Sequence, residues 1–194
     1  MGLLVIISSP SGGGKDSVIN GLLKIIPNSG RLVTVTSRPP RPGNMEGIDY
    51  HFISQKEFKK RLSEKCFFEY NMYSNHYYGT DKHLLNEALA KYDVIFSQIE
   101  INGKHNLDKA GVKNLSIFLM PENLNDLRQR IARRGGLTPQ QIEERMKIAE
   151  KEMKESADYD FRVVNKEGKL DKTIERVKKI ILTKMRKKDR MPGT

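Results

Sequence analysis

Short apolar runs along the chain alternate with segments whose apolar residues recur at helical spacing. The run Leu3–Ser8 ends in a Ser/Pro/Gly cluster, which predicts a buried strand, and residues 15–26 carry apolar side chains at helical intervals before Pro27. By the same criteria, further strands are predicted at 31–36, 49–54, 66–70, 72–78, 94–99, 116–119 and Phe161–Val164. Further helices are predicted at 55–64, 81–90, Leu124–Arg133, Pro139–Glu155 and 170–185.

At both ends of the chain, the apolar strands alternate with helices. This order is typical of an α/β fold in which helices cover both faces of a parallel sheet. Residues 33–80 depart from it, because their short aromatic-rich strands predict an inserted mixed-sheet module. Residues 124–156 also depart from it and predict a charged helical lid. The predicted core therefore consists of residues 1–32, 81–123 and 157–194.

Composition restricts the class of protein. The chain has 194 residues, of which 37% are hydrophobic, enough for about one domain with its own core. It contains no apolar run of about 18 residues, and the run after Met1 is short and lacks the basic start of a signal peptide. The single cysteine, Cys66, excludes an internal disulfide, and ligands for a structural zinc site are lacking. These features predict a cytoplasmic protein without a membrane partner.

The net charge of +11 indicates anionic partners. Residues 175–194 supply +6 of it, with eight Lys or Arg against two acidic residues. The simpler interpretation of this segment is the solvated end of a helix. No basic motif with interleaved aromatic residues accompanies it, so nucleic acid is not a required partner.

The strongest motif follows the first predicted strand and leads directly into a helix: Ser9-Pro10-Ser11-Gly12-Gly13-Gly14-Lys15-Asp16-Ser17. Glycines allow successive backbone N–H groups to point inward around phosphate oxygens, and the helix N-terminus adds its positive dipole end. Lys15 is placed to reach the β- and γ-phosphates as a point charge. Strand, loop and helix together predict a P-loop that binds ATP.

Two positions depart from the usual P-loop pattern. Ser9 replaces the first glycine, and Asp16 stands where a Ser or Thr normally assists Mg²⁺, with Ser17 one residue later. A carboxylate is also a hard oxygen ligand, so we expect Asp16 to hold Mg²⁺ directly or through water. Mg²⁺ is accordingly the predicted cofactor, with ATP as co-substrate.

The order of the remaining motifs resembles the guanylate kinase family, the ATP-dependent kinases of GMP, over nearly the whole chain. The motifs that carry this resemblance are Ser37-Arg38-Pro39-Pro40-Arg41-Pro42-Gly43, Gly47-Ile48-Asp49-Tyr50-His51-Phe52, Phe67-Phe68-Glu69 and Tyr77-Tyr78-Gly79-Thr80. The resemblance implies transfer of the γ-phosphoryl group of ATP to GMP, giving ADP and GDP. It also implies a set of GMP-binding residues: Thr34, Arg38, Arg41, Tyr50, Glu69, Tyr78, Thr80 and Glu100.

Within that set, the resemblance assigns the phosphate of GMP to the two arginines and two tyrosines. Glu69 would accept hydrogen bonds from the guanine N1–H and exocyclic amine, and Thr80 would contact the O6 side. A carboxylate that faces two parallel donors favours guanine over adenine, which offers no such pair. Without the resemblance, Glu69 is equally well an exposed acid of a strand, and Arg38 and Arg41 are ordinary arginines of a surface loop.

The charged helices resemble the lid of the family, whose arginines approach the transferred phosphoryl group. With Lys15, the lid residues Arg130, Arg134 and Arg145 are therefore the predicted catalytic residues, and closure of a lid would exclude water. Asn165 matches a family Asn that contacts adenine. Solvated helices stabilised by Glu/Arg pairs are the structural alternative, which suffices for other arginines of this segment.

A further departure follows the strand predicted at 94–99. Gln98 replaces a family acid that lies near the metal and the P-loop lysine, while Glu100 keeps the acid near guanine. We hypothesise that Asp16 compensates for the lost carboxylate.

Two other classes of function stay open at this point. A guanylate-kinase-like interaction module binds peptides without turnover, but such modules typically lose the P-loop and lid residues that are present here. A kinase of a phosphorylated sugar on the same fold has no need of the base-reading residues Glu69, Thr80 and Glu100. An RNA-binding role has no separate support, and both a monomer and a homodimer fit the sequence.

Overall fold

The computed structural model describes residues 1–73, 75–133 and 136–189, so that the predicted lid residue Arg134 lies outside the described residues. The strands are β1 (Leu3–Ser8), β2 (Ser29–Arg31), β3 (Val35–Thr36), β4 (His51–Phe52), β5 (Phe67–Tyr73), β6 (His76–Asp81), β7 (Val94–Ser97), β8 (Leu115–Met120) and β9 (Phe161–Val164). The helices are α1 (Lys15–Ile25), α2 (Gln55–Ser63), α3 (Lys82–Lys91), α4 (Ile101–Lys109), α5 (Leu124–Arg133), α6 (Pro139–Glu155) and α7 (Leu170–Asp189).

Two sheets organise these elements. The larger has the strand order β2-β7-β1-β8-β9, and its pairs β2/β7, β1/β8 and β8/β9 are parallel. Every residue of β1 and β7 is buried, which explains why both strands are continuous apolar runs rather than alternating ones. The smaller sheet has the order β4-β3-β6-β5 and mixes parallel and antiparallel pairs. The predicted α/β class, with a parallel sheet and an inserted mixed sheet, is confirmed.

The chain divides into two compact units. The first comprises Met1–Leu4 and Asn28–Asn114 and contains the whole mixed sheet, whose core includes the stacked rings of Phe58 and Phe67 at a centroid distance of 4.4 Å. The second comprises Val5–Pro27 and the chain from Leu115 onward, with α1, β8, β9 and α5 to α7. The predicted division into core, module and lid is not tested by this partition and stays a prediction.

Several boundaries differ from those predicted. The single strand predicted at 31–36 is two strands in different sheets, because Leu32 N donates to Phe96 O at 2.8 Å while Thr34 O accepts from His51 N at 2.9 Å. The β5/β6 hairpin turns after Tyr73, which pairs with His76, whereas the sequence placed the break near residue 71. The helix α4 was not predicted, since its polar residues and a glycine conceal the apolar spacing. Among the described residues, no helix is both long and apolar enough to span a membrane.

Asp81 joins the mixed sheet to α3 and gives a first testable prediction. Its buried carboxylate caps the helix by accepting from the N–H groups of His83 (2.9 Å) and Leu84 (3.1 Å), and it also accepts from Arg61 Nη2 at 2.5 Å. We expect Asp81→Ala to lower the free energy of unfolding by about 3 kcal/mol, since a cap and a buried ion pair are lost together. Urea unfolding measures this change.

The control for this prediction is Glu64→Ala, which removes an exposed carboxylate 4.0 Å from Lys60 Nζ. We expect that control to change stability by less than about 0.5 kcal/mol. If Asp81→Ala were as mild as the control, the proposed dual role of Asp81 would be wrong.

Candidate nucleotide-binding sites

The carboxylate of Glu69 is buried and held in one orientation. Antiparallel pairing of β5 with β6 sets Glu69 opposite Thr80, whose Oγ1 donates to Glu69 Oε1 at 2.6 Å. Glu69 is only 7% exposed, and this burial raises the pKa of its carboxyl group, an effect that the hydrogen bond from Thr80 opposes without cancelling. The side chain is thus an oriented acceptor, which the sequence alone could not distinguish from an exposed acid.

The first turn of α4 lies against this carboxylate. A Cβ atom added at Gly103 would lie 3.3 Å from Glu69 Oε2 and 3.3 Å from Ile99 Cβ, so any larger residue here would crowd the Glu69 carboxylate. Glu100 is the N-cap of the same helix and its side chain is exposed. Gly103 was not predicted from the sequence and is a candidate site residue through its proximity to Glu69.

A second group of site residues lies on the Pro/Gly-rich loop after β3. Arg38 is only 9% exposed, and its guanidinium donates to Pro39 O (2.8 Å) and to Asn44 Oδ1 (2.9 Å). The same Asn44 Oδ1 accepts from the backbone N–H of Arg41 at 3.1 Å. Asn44 therefore ties the two predicted phosphate-binding arginines to one loop conformation. It was not predicted, although Asn residues in Pro/Gly-rich loops commonly hydrogen-bond nearby backbone groups through their side chains.

Two aromatic rings lie close to the Arg38 guanidinium. Its Cζ lies 5.6 Å from the ring centroid of Tyr50 and 5.7 Å from that of Phe52, within the range of cation–π contacts. Tyr50 packs edge-on against Tyr78 with a centroid distance of 5.9 Å. The structure thus brings Arg38, Tyr50 and Tyr78 together, while the Arg41 side chain is exposed and Thr34 is half-buried.

Glu46 connects the Pro/Gly-rich loop to β4, and it was also not predicted as a site residue. Its Oε2 accepts from Phe52 N at 2.9 Å and its Oε1 lies 3.0 Å from His51 Nδ1. The backbone N–H of Phe52 is the main reason why the pKa of the Glu46 carboxyl group is lowered, with a smaller contribution from His51. At neutral pH the charged Glu46 side chain therefore links the loop that carries Arg38 and Arg41 to β4.

The predicted phosphate-binding loop lies in the second unit, between β1 and α1. Gly12 and Gly14 both have φ of 85°, a left-handed conformation that favours glycine, and Gly14 is the N-cap of α1. Gly13 N donates to Pro10 O at 2.8 Å, and Ser9 Oγ donates to the same oxygen at 3.0 Å. The loop is therefore a compact turn that ends at a helix N-terminus, as expected of an anion site.

The remaining residues of the loop motif include Asp16, the predicted Mg²⁺ ligand. Lys15 and Asp16 lie in the first turn of α1, with Ser17 next. Asp16 and Ser17 are exposed, and Ser11 is half-buried. No group of three or more His, Cys, Asp or Glu side chains suited to a metal occurs within the described ranges. A single carboxylate beside a phosphate site still fits Mg²⁺, which is bound in proteins by one or two carboxylates together with substrate phosphates.

Asn165, a predicted ATP-site residue, links the loop to the predicted catalytic residue Arg130. Asn165 Nδ2 donates to Gly13 O at 2.9 Å, and Arg130 Nη2 donates to Asn165 O at 2.9 Å. The amide of Asn165, expected from the family resemblance to contact adenine, is thus directed at the loop backbone. Arg145 lies half-buried on α6. Arg128, an arginine of the predicted lid that was not assigned to catalysis, forms an ion pair with Glu143, as expected of a helix stabilised by Glu/Arg pairs.

Comparison with known proteins identifies the family to which this pair of sites belongs. The family model described as guanylate kinase matches residues 1–184. The chain belongs to the guanylate kinase family. It is 36% identical over 191 residues to the guanylate kinase of Listeria innocua, covering 98% of this chain and 92% of that protein. It is 32% identical over 190 residues to the guanylate kinase of Clostridium perfringens strain SM101, covering 98% and 87%.

The fold agrees with this assignment. The crystal structure of guanylate kinase from Anaplasma phagocytophilum superposes with a TM-score of 0.74 at 27% sequence identity and covers 95% of this chain and 86% of that one. The resemblance found in the sequence motifs is thereby confirmed. As a member of the guanylate kinase family, the chain departs from the usual P-loop pattern at Ser9 and Asp16, both of which lie in the described loop.

Proposed function

We propose that this chain is a guanylate kinase that transfers the γ-phosphoryl group of ATP to GMP and releases ADP and GDP. The observation that carries the proposal is the buried Glu69 carboxylate, oriented by Thr80, on the same sheet as the Arg38 loop. The P-loop of the second unit supplies the matching site for a triphosphate. Cytoplasmic location and a monomeric or homodimeric state belong to the same proposal.

In the acceptor site, Glu69 would read the base. Its oriented carboxylate accepts hydrogen bonds from the guanine N1–H and exocyclic amine, whereas adenine would leave the buried charge without donors. Thr80, Thr34 and Glu100 complete the proposed contacts around the base. Because an unpaired buried carboxylate is costly, the same residue that favours GMP would reject AMP.

The phosphate of GMP would bind at the arginine loop. Arg38 is already fixed by Asn44 and by the Tyr50 and Phe52 rings, so little side-chain entropy is lost when an anion binds. Arg41 is exposed and follows on the same loop, so it would approach the phosphate from solvent. Tyr50 and Tyr78 supply hydroxyl donors.

In the donor site, the loop N–H groups, the α1 dipole and Lys15 would bind the phosphates of ATP. We propose that Asp16 holds Mg²⁺, which supplies positive charge to the β- and γ-phosphates when it is bound. Phosphoryl transfer leaves little covalent work for protein groups, so alignment and positive charge are what the chain must provide. Arg145, and Arg134 outside the described residues, are the proposed sources of that charge, together with Lys15.

The other two classes of function are not favoured. An interaction module has no use for an intact phosphate-binding loop, and here that loop retains Lys15 together with both left-handed glycines. A kinase of a phosphorylated sugar does not need a buried carboxylate such as Glu69, whose oxygens would accept hydrogen bonds from a nucleotide base.

The direct test is a coupled assay of ADP formation with ATP and Mg²⁺, in which GMP, AMP, UMP and CMP are offered in turn. We expect turnover with GMP alone. Turnover with another nucleotide would retain the kinase and overturn the role of Glu69. Absence of turnover with all four, although nucleotides still bind, would favour the interaction module and implicate Asp16 and Gln98.

Gly103→Ala gives a sharper test of the base site. The added Cβ would press on Glu69 Oε2, so we expect KM for GMP to rise about fivefold, with kcat changed by less than about twofold. The melting temperature should change little, because the helix preference of alanine over glycine, at most about 1 kcal/mol, opposes the crowding at Glu69 Oε2 and Ile99 Cβ. The exposed neighbour Asn102→Ala is the control, for which KM should be unchanged. A lower melting temperature with unchanged KM would contradict this assignment of Gly103.

The pH dependence of GMP binding follows from the raised pKa of Glu69. The carboxylate is the binding form, so affinity falls as pH decreases through the pKa, and burial shifts this loss to a higher pH than the ordinary 4.5. We expect KM for GMP to rise with acidification in the wild type. The GMP phosphate also titrates near pH 6, but it does so equally in Glu69→Gln. The difference between the two log KM profiles therefore isolates Glu69, and parallel profiles would exclude its titration.

A further inference from the structure

Polar contacts connect the phosphate-binding loop to the segment after β9. Asn165 is only 5% exposed and is fixed at both backbone groups, since its N–H donates to Met120 O at 2.8 Å and its C=O accepts from Arg130 Nη2 at 2.9 Å. From this fixed position, its side-chain amide donates to Gly13 O at 2.9 Å. The loop is therefore held by a residue that the chain reaches 152 positions later.

The direction of this contact bears on anion binding. A loop that cradles phosphate directs its N–H groups inward, so a carbonyl such as that of Gly13 needs a donor outside the cradle. Asn165 supplies that donor. It also limits the space beside the loop, because a Cβ at Gly14 would lie 2.7 Å from Asn165 Nδ2.

Glu167 forms an ion pair with Arg130, the residue that donates to the Asn165 carbonyl. Its carboxylate accepts from Arg130 Nε at 2.7 Å and lies 3.2 Å from Arg133 Nη2. The hydrogen bond from Arg130 is the main cause of the lowered pKa of Glu167, so the contact is an ion pair at neutral pH. The Arg130 side chain is only 12% exposed, and its Cβ would lie 3.7 Å from a Cβ at Gly12. Arg130 thus lies beside the loop while Glu167 and the Asn165 carbonyl orient its guanidinium.

We propose that Asn165 and Glu167 are positioning residues of the donor site: Asn165 fixes the Gly13 carbonyl, and Glu167 fixes Arg130, which in turn fixes Asn165. The inference rests on the proposed function of the loop as the ATP phosphate site. It differs from the adenine contact implied by the family resemblance, because a residue that acts on the loop affects every polyphosphate, whether or not adenine is attached.

Inorganic tripolyphosphate, titrated calorimetrically in the presence of Mg²⁺, separates the two roles. We expect Asn165→Ala to weaken its binding about tenfold and Glu167→Gln about threefold, with the same changes in KM for ATP and none in KM for GMP. The matched control is Glu122→Gln, which removes another exposed carboxylate, 2.6 Å from Lys166 Nζ. We expect this control to bind tripolyphosphate as the wild type does.

Each other outcome counts against a specific claim. If Asn165→Ala weakened ATP but not tripolyphosphate, Asn165 would be an adenine contact only and the inference would fail. If Glu167→Gln matched Glu122→Gln in all three constants, Glu167 would have no positioning role, and this result is informative even if Asn165→Ala does not fold. If the wild type bound neither tripolyphosphate nor ATP, the donor-site assignment itself would be wrong.

Discussion

Replacing Glu69 by glutamine is expected to lower kcat/KM for GMP by about 10²- to 10³-fold, with KM for ATP changed by less than about twofold. The substitution keeps the shape of the side chain but exchanges one acceptor oxygen for a donor amide, which would face the guanine donors. Thr80 already donates to Glu69 Oε1, so the hydrogen bond within the protein can persist in the variant. The loss should therefore fall on the acceptor nucleotide alone.

The same variant should be more stable than the wild type at neutral pH. Because burial raises the pKa of Glu69, the folded state binds this proton more tightly than the unfolded state. Stability is then lost as pH rises from the ordinary 4.5 through the raised pKa, and the full cost applies above it. Glu69→Gln removes that cost, so its melting temperature should exceed the wild-type value at pH 7.5 and approach it below pH 4.5.

Lower activity together with a higher melting temperature would show that Glu69 serves GMP binding and lowers the stability of the folded state. Glu64→Gln, an exposed carboxylate close in the chain, is the control and should alter neither property. If Glu69→Gln lowered both activity and stability, Glu69 would be a structural residue of the mixed sheet, and the base-reading role would have to be abandoned.

The parts of the fold that were predictable from the sequence are those set by local pattern. The bounds of β1, α5, α6 and β9 agree with the apolar spacing, and the capping box at Thr138 and Gln141 explains why α6 begins where it does. The split between β2 and β3 was not predictable, because Leu32 and Thr34 are only two residues apart, yet their backbones bond to Phe96 and His51 in different sheets. That choice depends on tertiary contacts rather than on propensity.

The candidate site shows the same limit. Motif order was enough to name Glu69, Arg38 and the phosphate loop, since each lies inside a short recognisable segment. The contacts that fix them were not predicted, even where the residue was, because the partners are distant in the chain or are backbone atoms. Gly103 matters through its missing Cβ beside Glu69, and the Asn165 amide matters through the Gly13 carbonyl. The spacing of residues along the sequence does not predict which backbone carbonyl a side-chain amide will hydrogen-bond.

Replacing Lys15 by methionine should have the largest effect on turnover. Lys15 begins α1 directly after the left-handed Gly14, so it is the first helical residue after the loop and a proposed source of positive charge for the phosphates. Charge at the transferred phosphoryl group accelerates such reactions by about 10³-fold or more, and we expect kcat to fall by at least that factor, with KM for ATP raised about tenfold. Methionine keeps the aliphatic stem, so the fold should be retained.

Two further variants make this prediction specific. Lys15→Arg should restore little activity, because a planar guanidinium does not replace a compact ammonium at a crowded backbone turn. Lys24→Met removes an exposed lysine from the last turn of the same helix and should leave kcat unchanged. Calorimetry with GMP should give the wild-type affinity for Lys15→Met, since the proposed GMP residues belong to the other unit. Retention of more than about a tenth of the wild-type kcat would show that the loop does not use Lys15 for phosphoryl transfer, and loss of GMP binding would trace the defect to the fold instead.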